Sequence, residues 1–119
     1  MKILITFLVS LLFLGCGDDT STEFHGNGQK SHEYTIINGK WQGTQTKWYE
    51  NGQKQFEVNW VDNMWHGTET KWYENGQKQY EVNWVYGEKH GTEIHYFDDG
   101  FKEKEMNWMT IAGLKGYGT

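Results

Sequence analysis

The sequence predicts an all-β protein built from antiparallel β-hairpin repeats, after an N-terminal signal peptide. Three observations support this prediction. Residues 47–61 recur almost unchanged 24 positions later, as residues 71–85. Within these blocks apolar and polar residues alternate, which is typical of strands with one apolar face. Asn-Gly and Asp-Gly pairs separate the alternating segments, and such pairs favour hairpin turns.

The N-terminal segment has the anatomy of a signal peptide. A short, positively charged start is followed by a mostly apolar run at residues 3–14. This run is shorter than the roughly 20 residues that a helix needs to cross a bilayer. We therefore expect a signal peptide over residues 1–15, followed by a polar tether over residues 16–22.

Cys16 is the only cysteine, so no intrachain disulfide can form. The Leu-Phe-Leu-Gly-Cys run that ends at Cys16 resembles a bacterial lipobox, although Phe13 and Leu14 depart from the residues that lipoboxes prefer. The resemblance implies cleavage before Cys16 and a lipid on its sulfur, which would attach the protein to a membrane of the cell envelope. Gly17, directly after the cysteine, resembles the outer-membrane class of lipoproteins.

Charge excludes one class of partner. The chain has 11 Lys and Arg residues against 16 Asp and Glu residues, and its formal net charge is −5. A nucleic-acid-binding protein needs a basic stripe that meets the phosphates, and the sequence has none. We therefore expect no nucleic-acid partner.

Four units cover the rest of the chain, at about residues 23–46, 47–70, 71–94 and 95–119. The two inner units are nearly identical and the outer two are degenerate, as capping repeats are. Each unit is predicted to form two antiparallel strands. Further hairpin signals are Asn38-Gly39, Asp62-Asn63 and Tyr86-Gly87. A bulge or a close backbone approach is expected at Gly43, Gly67 and Gly91. The turn glycines of the units are Gly28, Gly52, Gly76 and Gly100.

Two loop lengths are compatible with Asn51-Gly52. A two-residue turn would point Trp48 away from Phe56. A three-residue loop, with Gly52 in the left-handed conformation, would place Trp48 on the same side as Phe56. It would also place Thr46 opposite Phe56. We prefer the three-residue loop because it gathers the aromatic side chains on one face.

The motif in each unit resembles a known repeat. Residues 67–78, followed by Tyr86-Gly87-Glu88-Lys89-His90-Gly91, resemble the variant MORN repeat (membrane occupation and recognition nexus), and the resemblance extends over about residues 23–116. It implies an elongated antiparallel meander of β-hairpin repeats that forms a single twisted sheet, and a role in protein association or at membranes. It also implies no shared catalytic residues.

The recurring aromatic residues are the candidate structural or binding residues. They are Trp48, Tyr49, Trp60, Trp72, Tyr73, Trp84, Tyr96 and Trp108. Because a thin sheet has little core, we expect aromatic ladders that hold it together, each ring burying about 150–250 Å². Rings left exposed would form a binding patch. The Trp-Tyr hairpins are also similar to choline-binding repeats, in which aromatic rings surround a quaternary ammonium.

No pattern indicates an enzyme, a cofactor or a metal site. Glu57, Glu81 and Glu105 recur beside Lys54, Lys78 and Lys102, which we expect to neutralise them on a solvated face. The histidines have no known ligand spacing. We therefore expect a scaffold that binds an unknown protein through its sheet face or its open edges, and the open edges would also allow self-association. The alternative is a binder of small ligands or glycans that uses exposed aromatic platforms.

Overall fold

The computed structural model describes residues 18–109. The predicted signal peptide, the predicted lipidation site Cys16 and residues 110–119 lie outside the described residues. The regular elements of the described part are strands. In chain order they are β1 (Asp18–Phe24), β2 (Lys30–Ile37), β3 (Lys40–Trp41), β4 (Gly43–Trp48), β5 (Lys54–Val61), β6 (Met64–Trp65), β7 (Gly67–Trp72), β8 (Lys78–Val85), β9 (Glu88–Tyr96) and β10 (Lys102–Trp108).

These strands form one antiparallel sheet in the order β1-β2-β4-β5-β7-β8-β9-β10, with the short β3 paired to β2 and β6 paired to β5. The thinnest dimension is 16 Å, which leaves room for one sheet and its side chains, because stacked sheets alone lie about 10 Å apart. The predicted all-β meander of hairpins is therefore confirmed. In residues 18–109 no helix has the length and apolar character needed to cross a membrane.

Two-residue turns connect the strands at one margin of the sheet, which we call the tight-turn margin. The turns are Asn38-Gly39, Asp62-Asn63 and Tyr86-Gly87, each flanked by a directly paired strand position. Both central residues of each turn have positive φ, as type I′ turns require. Tyr86, at φ +45°, is the bulky exception among small turn residues.

Three-residue loops connect the strands at the opposite margin, which we call the loop margin. The Tyr49 N–H donates to the Gln53 carbonyl at 2.9 Å, which closes a loop of residues 50–52. Gly52 has φ +85°, and Gly28, Gly76 and Gly100 have φ values of +86°, +87° and +91°. The loop length is the predicted one.

The pairing beyond each loop differs from the prediction. Trp48 pairs with Lys54, but the next pair joins Lys47 to Phe56, which leaves Gln55 as an extra residue. Such a bulge reverses the alternation of side chains along its strand. Trp48 therefore lies on the face opposite Phe56, and the prediction that they share a face is wrong.

The same bulge changes the residue that Thr46 faces. Thr46 lies opposite Glu57, not Phe56 as predicted, and its hydroxyl donates to the Glu57 carboxylate at 3.3 Å. Equivalent extra residues are Ser31, Gln79 and Glu103. The bulge is thus a regular part of the repeat.

Residues 18–22 were expected to lie in a tether, but they form most of β1. This strand pairs with β2 along its whole length, and the hydroxyls of Thr20 and Thr35 are 3.0 Å apart. The tether prediction is wrong here because polar composition does not exclude an edge strand. Threonine favours strands, and an edge strand has water on one side.

The alternation gives the sheet two chemically different faces. The aromatic face carries Tyr34, Trp41, Phe56, Trp60, Trp65, Tyr80, Trp84 and Trp108. The charged face carries Trp48, Trp72 and a series of Lys–Glu pairs. Val58, Val82 and Tyr80 are buried and form the apolar core. The core therefore lies beneath the aromatic face.

Candidate binding surface

A continuous row of rings crosses the aromatic face. Tyr34, Trp41, Trp60, Trp65 and Trp84 follow one another with centroid distances of 4.8, 5.2, 5.7 and 4.9 Å. The last two contacts are edge-to-face. These distances lie in the range where aromatic pairs stabilise beyond simple burial. Each ring is half-buried, so the row is both a structural support and an accessible strip.

Buried polar side chains orient three tryptophans of this face. The indole N–H groups of Trp60, Trp84 and Trp108 donate to Gln45, Glu69 and Glu93 at 2.9, 2.9 and 2.7 Å. Glu69 is only 2% exposed, and the Lys71 ammonium is 3.4 Å from its carboxylate. A buried carboxylate requires such partners. The tryptophans are therefore held by specific hydrogen bonds as well as by packing.

In the third unit an ammonium group takes the place of a ring. Lys89 stands where Trp41 and Trp65 stand in the first two units. Its Nζ is 5.0 Å from the ring centroid of Trp108 and 5.8 Å from that of Trp84. Cations within about 6 Å of a ring centroid are attracted to its face. Trp84 and Trp108 thus form an aromatic cage, and the Lys89 ammonium of the protein itself occupies it.

The cage also fixes a charged pair. Lys89 Nζ is 2.7 Å from Glu93 Oε2. Burial favours the neutral form of Glu93, but hydrogen bonds from Lys89, His95 and Trp108 outweigh it and hold the pKa of Glu93 below its usual value. Burial likewise opposes the charge of Lys89, yet its hydrogen bonds to Glu93 and Tyr80 raise the pKa of Lys89. Both groups are therefore charged near neutral pH.

An open depression lies where the row of rings meets the tight-turn margin. It has a volume of about 260 Å³ and is lined by Trp60, Asn63, Met64, Trp65, Trp84 and Gly87. The buried indole Nε1 of Trp65 has no hydrogen-bond partner. Buried N–H groups normally have a partner. The depression is therefore apolar, and one of its lining rings carries a buried donor without a partner.

The charged face carries one ion pair per unit. Lys30–Glu33, Lys54–Glu57 and Lys78–Glu81 are 2.6, 2.5 and 2.7 Å apart, and Lys102 pairs with Glu105. Hydrogen bonds from the lysines lower the pKa of Glu33 and of Glu81. Lys30 and Lys54 also lie 5.7 Å from the ring centroids of Trp48 and Trp72. This face is therefore neutralised internally, as the recurring lysines predict.

Hydrogen bonds along the loop margin connect each unit to the next. The hydroxyls of Tyr49 and Tyr73 donate to the carbonyls of Trp72 and Tyr96, each at 2.8 Å. The side chains of Asn27, Asn51 and Asn75 donate to the carbonyls of Glu50, Glu74 and Asp98 at 2.7 to 2.8 Å. Gln29, Gln53 and Gln77 approach Gly52, Gly76 and Gly100 of the next unit so closely that a Cβ there would contact them. Tyr49 and Tyr73 are therefore connectors between units.

The last unit lacks these connectors. Phe97, Asp99 and Phe101 stand where the preceding unit has Tyr73, Asn75 and Gln77. Phe97 and Phe101 are exposed. The loop margin of the last unit is therefore apolar where the earlier units are polar.

The repeat belongs to a known class. A family described as MORN repeat variant matches residues 41–62 and 65–86. These two segments are MORN-variant repeats. Each matched segment contains one hairpin with its three-residue loop, β4–β5 or β7–β8. No curated protein and no solved structure matches the chain.

The MORN-variant repeats divide the predicted aromatic residues among three places. Trp60, Trp84 and Trp108 lie on the aromatic face, Trp48, Trp72 and Tyr96 on the charged face, and Tyr49 and Tyr73 at the loop margin. The Tyr96 hydroxyl donates to Glu81 at 2.9 Å. Burial raises the pKa of Tyr96, and this hydrogen bond raises it further. The predicted residues are therefore not one ladder.

Sequence reasoning missed several residues of the aromatic face. These are Trp41, Trp65, Gln45, Glu69 and Glu93. Their recurrence at 24-residue intervals was a usable signal. In residues 18–109 no group of three His, Cys, Asp or Glu side chains is arranged to hold a metal ion.

Proposed function

We propose that this protein is a lipid-anchored interaction module of the bacterial cell envelope, which binds a protein partner at the open edge of its sheet and catalyses no reaction. The MORN-variant repeats support the general part of this proposal, a repeat-based binding or scaffold role. The envelope, the anchor and the edge are the specific parts. They rest on the arguments that follow.

The observation that carries the proposal is the condition of β10. Among residues 18–109 this strand pairs with β9 alone, and every one of its residues is exposed. The unpaired N–H and C=O groups of an edge strand are a template for strand addition by a partner. Met106 and Trp108 add exposed apolar side chains to this edge.

The anchor would be a lipid on Cys16. The lipobox-like run before Cys16 and the glycine after it support this assignment. Because β1 already begins at Asp18, the sheet would follow the lipidated residue almost at once. The β1 edge would then lie close to the bilayer and the β10 edge would lie at the far end of the sheet.

The anchor is tested by the intact mass of the protein from a bacterial membrane fraction, beside a Cys16→Ala variant. We expect a wild-type species that begins at Cys16 and carries acyl mass, and an unacylated variant. A wild-type chain that is unmodified and cut elsewhere contradicts the anchor.

The binding edge is tested by photo-crosslinking in intact cells. A photoreactive residue at Glu103, the bulged residue of β10, is compared with one at Lys40, which lies exposed next to the first tight turn. We expect a discrete crosslinked product from position 103 and none from position 40. Products from position 40 alone would place the interaction elsewhere.

A second candidate function is the binding of a small ligand in the depression beside Trp65. The apolar lining of this depression and its volume of about 260 Å³ favour it. It is tested by tryptophan fluorescence during titration with choline and with monosaccharides. Saturable quenching that a Trp65→Phe variant loses supports this function, and unchanged fluorescence with every probe excludes these ligands.

A further inference from the structure

We propose that the partner of the β10 edge is a second copy of this chain, added head to tail so that its β1 continues the sheet. This inference rests on the proposed function, because it names the protein that the edge binds. The argument follows from the internal junctions between units, from charge and from exposed phenylalanines.

The two end strands are the two halves of an internal junction. Counted in steps of 24 residues, β10 holds the position of β5 and β8, and β1 holds the position of β4 and β7. Inside the chain β5 pairs with β7, and Phe56 lies opposite Lys71. The same register between two copies places Lys104 opposite Glu23 of the added copy. The backbone N–H and C=O groups of the two edges are therefore aligned to pair in this register.

The charges at this register are complementary. Lys104 and Glu23 are both exposed, and an opposite-charge pair directly across two strands is stabilising. The same register places Lys102 against Phe24 of the added copy. Within the chain the equivalent Lys54 lies 5.7 Å from the ring centroid of Trp72. A cation–aromatic contact would thus recur across the new junction.

Exposed phenylalanines meet at the loop margin of this junction. Phe97 and Phe101 are 48% and 73% exposed at the last unit, and Phe24 is 52% exposed at the first. The space above Gly28 is open, where Gly52 contacts a glutamine of the preceding unit. In the added copy Gly28 would receive Phe101. The polar contacts between internal units are thus replaced by an apolar contact, which is typical of the centre of a protein interface.

Pairing of two β10 edges about a two-fold axis is less favourable. The register that pairs β10 along its whole length brings Glu105 opposite its own copy, and the register centred one residue earlier brings Lys104 opposite its own copy. Like charges directly opposite each other are destabilising. A head-to-tail contact, in contrast, leaves a free edge at each end, so it extends into rows.

The experiment uses sedimentation velocity on the protein purified in mild detergent as cells process it. We compare wild type, Lys104→Glu, Glu23→Lys, the double variant and an equal mixture of the two single variants. We expect concentration-dependent oligomers of the wild type and an affinity about tenfold weaker in each single variant. The double variant and the mixture should recover, because each restores opposite charges across the junction.

The outcomes separate this inference from the proposed function. Loss with Lys104→Glu but not with Glu23→Lys would show that Lys104 does not face Glu23 of a second copy, and it would overturn the head-to-tail inference. A wild type that stays monomeric, or no recovery in the mixture while circular dichroism shows folded protein, overturns the head-to-tail inference. Crosslinking from position 103 to a different envelope protein would then still support the proposed function.

Discussion

The indole N–H of Trp84 donates to the carboxylate of Glu69 at 2.9 Å, beneath a face that leaves this glutamate only 2% exposed. A single sheet has no second layer to cover its side chains. A buried hydrogen-bond acceptor under a tryptophan therefore supplies part of the stabilisation that apolar packing supplies in thicker folds. The arrangement recurs in three units with two acceptor types, which makes it open to direct test.

Replacing Glu69 with alanine should lower the free energy of unfolding by about 2–3 kcal/mol, because it leaves a buried indole N–H without an acceptor. Glu69→Gln should cost under about 1 kcal/mol, since Gln45 accepts the equivalent bond from Trp60. Urea denaturation followed by circular dichroism measures both values. Equal losses in the two variants would mean that charge, and not the acceptor, is what matters.

Acid should weaken the fold through Glu93. Its pKa in the folded protein lies below the usual value of 4.5. A lowered folded pKa stabilises the protein while the carboxylate is charged, so the contribution is complete above the unfolded pKa and is lost as pH falls through the folded pKa. We expect Glu93→Gln to be less stable at about pH 7 and to lose less stability between about pH 7 and about pH 3.5. Urea midpoints at the two pH values decide this.

Removal of the Tyr73 hydroxyl at the loop margin should lower the free energy of unfolding, whereas addition of a hydroxyl to Phe97 should not change it. Tyr73→Phe removes the bond to the Tyr96 carbonyl and should cost about 1 kcal/mol. The matched control is Phe97→Tyr, which adds a hydroxyl at the same position of the last unit. It should leave the free energy of unfolding of monomeric protein unchanged. A similar effect of both changes in thermal or urea unfolding would argue against connection between units.

Asparagine should fit the left-handed backbone conformation at position 86 better than tyrosine does. Tyr86 has φ +45° and is 59% exposed, and Asn38 adopts φ +50° at the same position of the first unit. Asparagine visits this left-handed region more readily than tyrosine. We expect Tyr86→Asn to raise the free energy of unfolding by about 0.5–1 kcal/mol. A loss instead would show that the ring contact with His66, at 4.5 Å between centroids, outweighs the backbone strain.

Much of the fold could be predicted from the sequence because its signals are local. The alternation in residues 54–61 and the glycine of each loop specify strands and a three-residue loop without reference to the rest of the chain. The bulge at Gln55 could not be predicted in the same way. An extra residue in a strand has no compositional mark, yet it moves Trp48 to the other face.

The candidate surface was predicted less well because burial of polar groups depends on neighbours that are distant in sequence. Glu69 and Glu93 look like solvated glutamates until Trp84 and Trp108 are placed above them. Recurrence alone does not reveal which side of the sheet a residue occupies. The edge strand at residues 18–22 was missed for a related reason, since its partner strand, not its composition, orders it.

The order of the strands has a mechanical consequence. β1 and β10 lie at opposite edges of the sheet, so tension applied between these two edges acts across the strands. The strand pairs are then loaded in series, so each pair bears the full force. The hydrogen bonds of a pair break one after another. Because the units are held by nearest-neighbour contacts, such a sheet would lengthen stepwise under a weak pull.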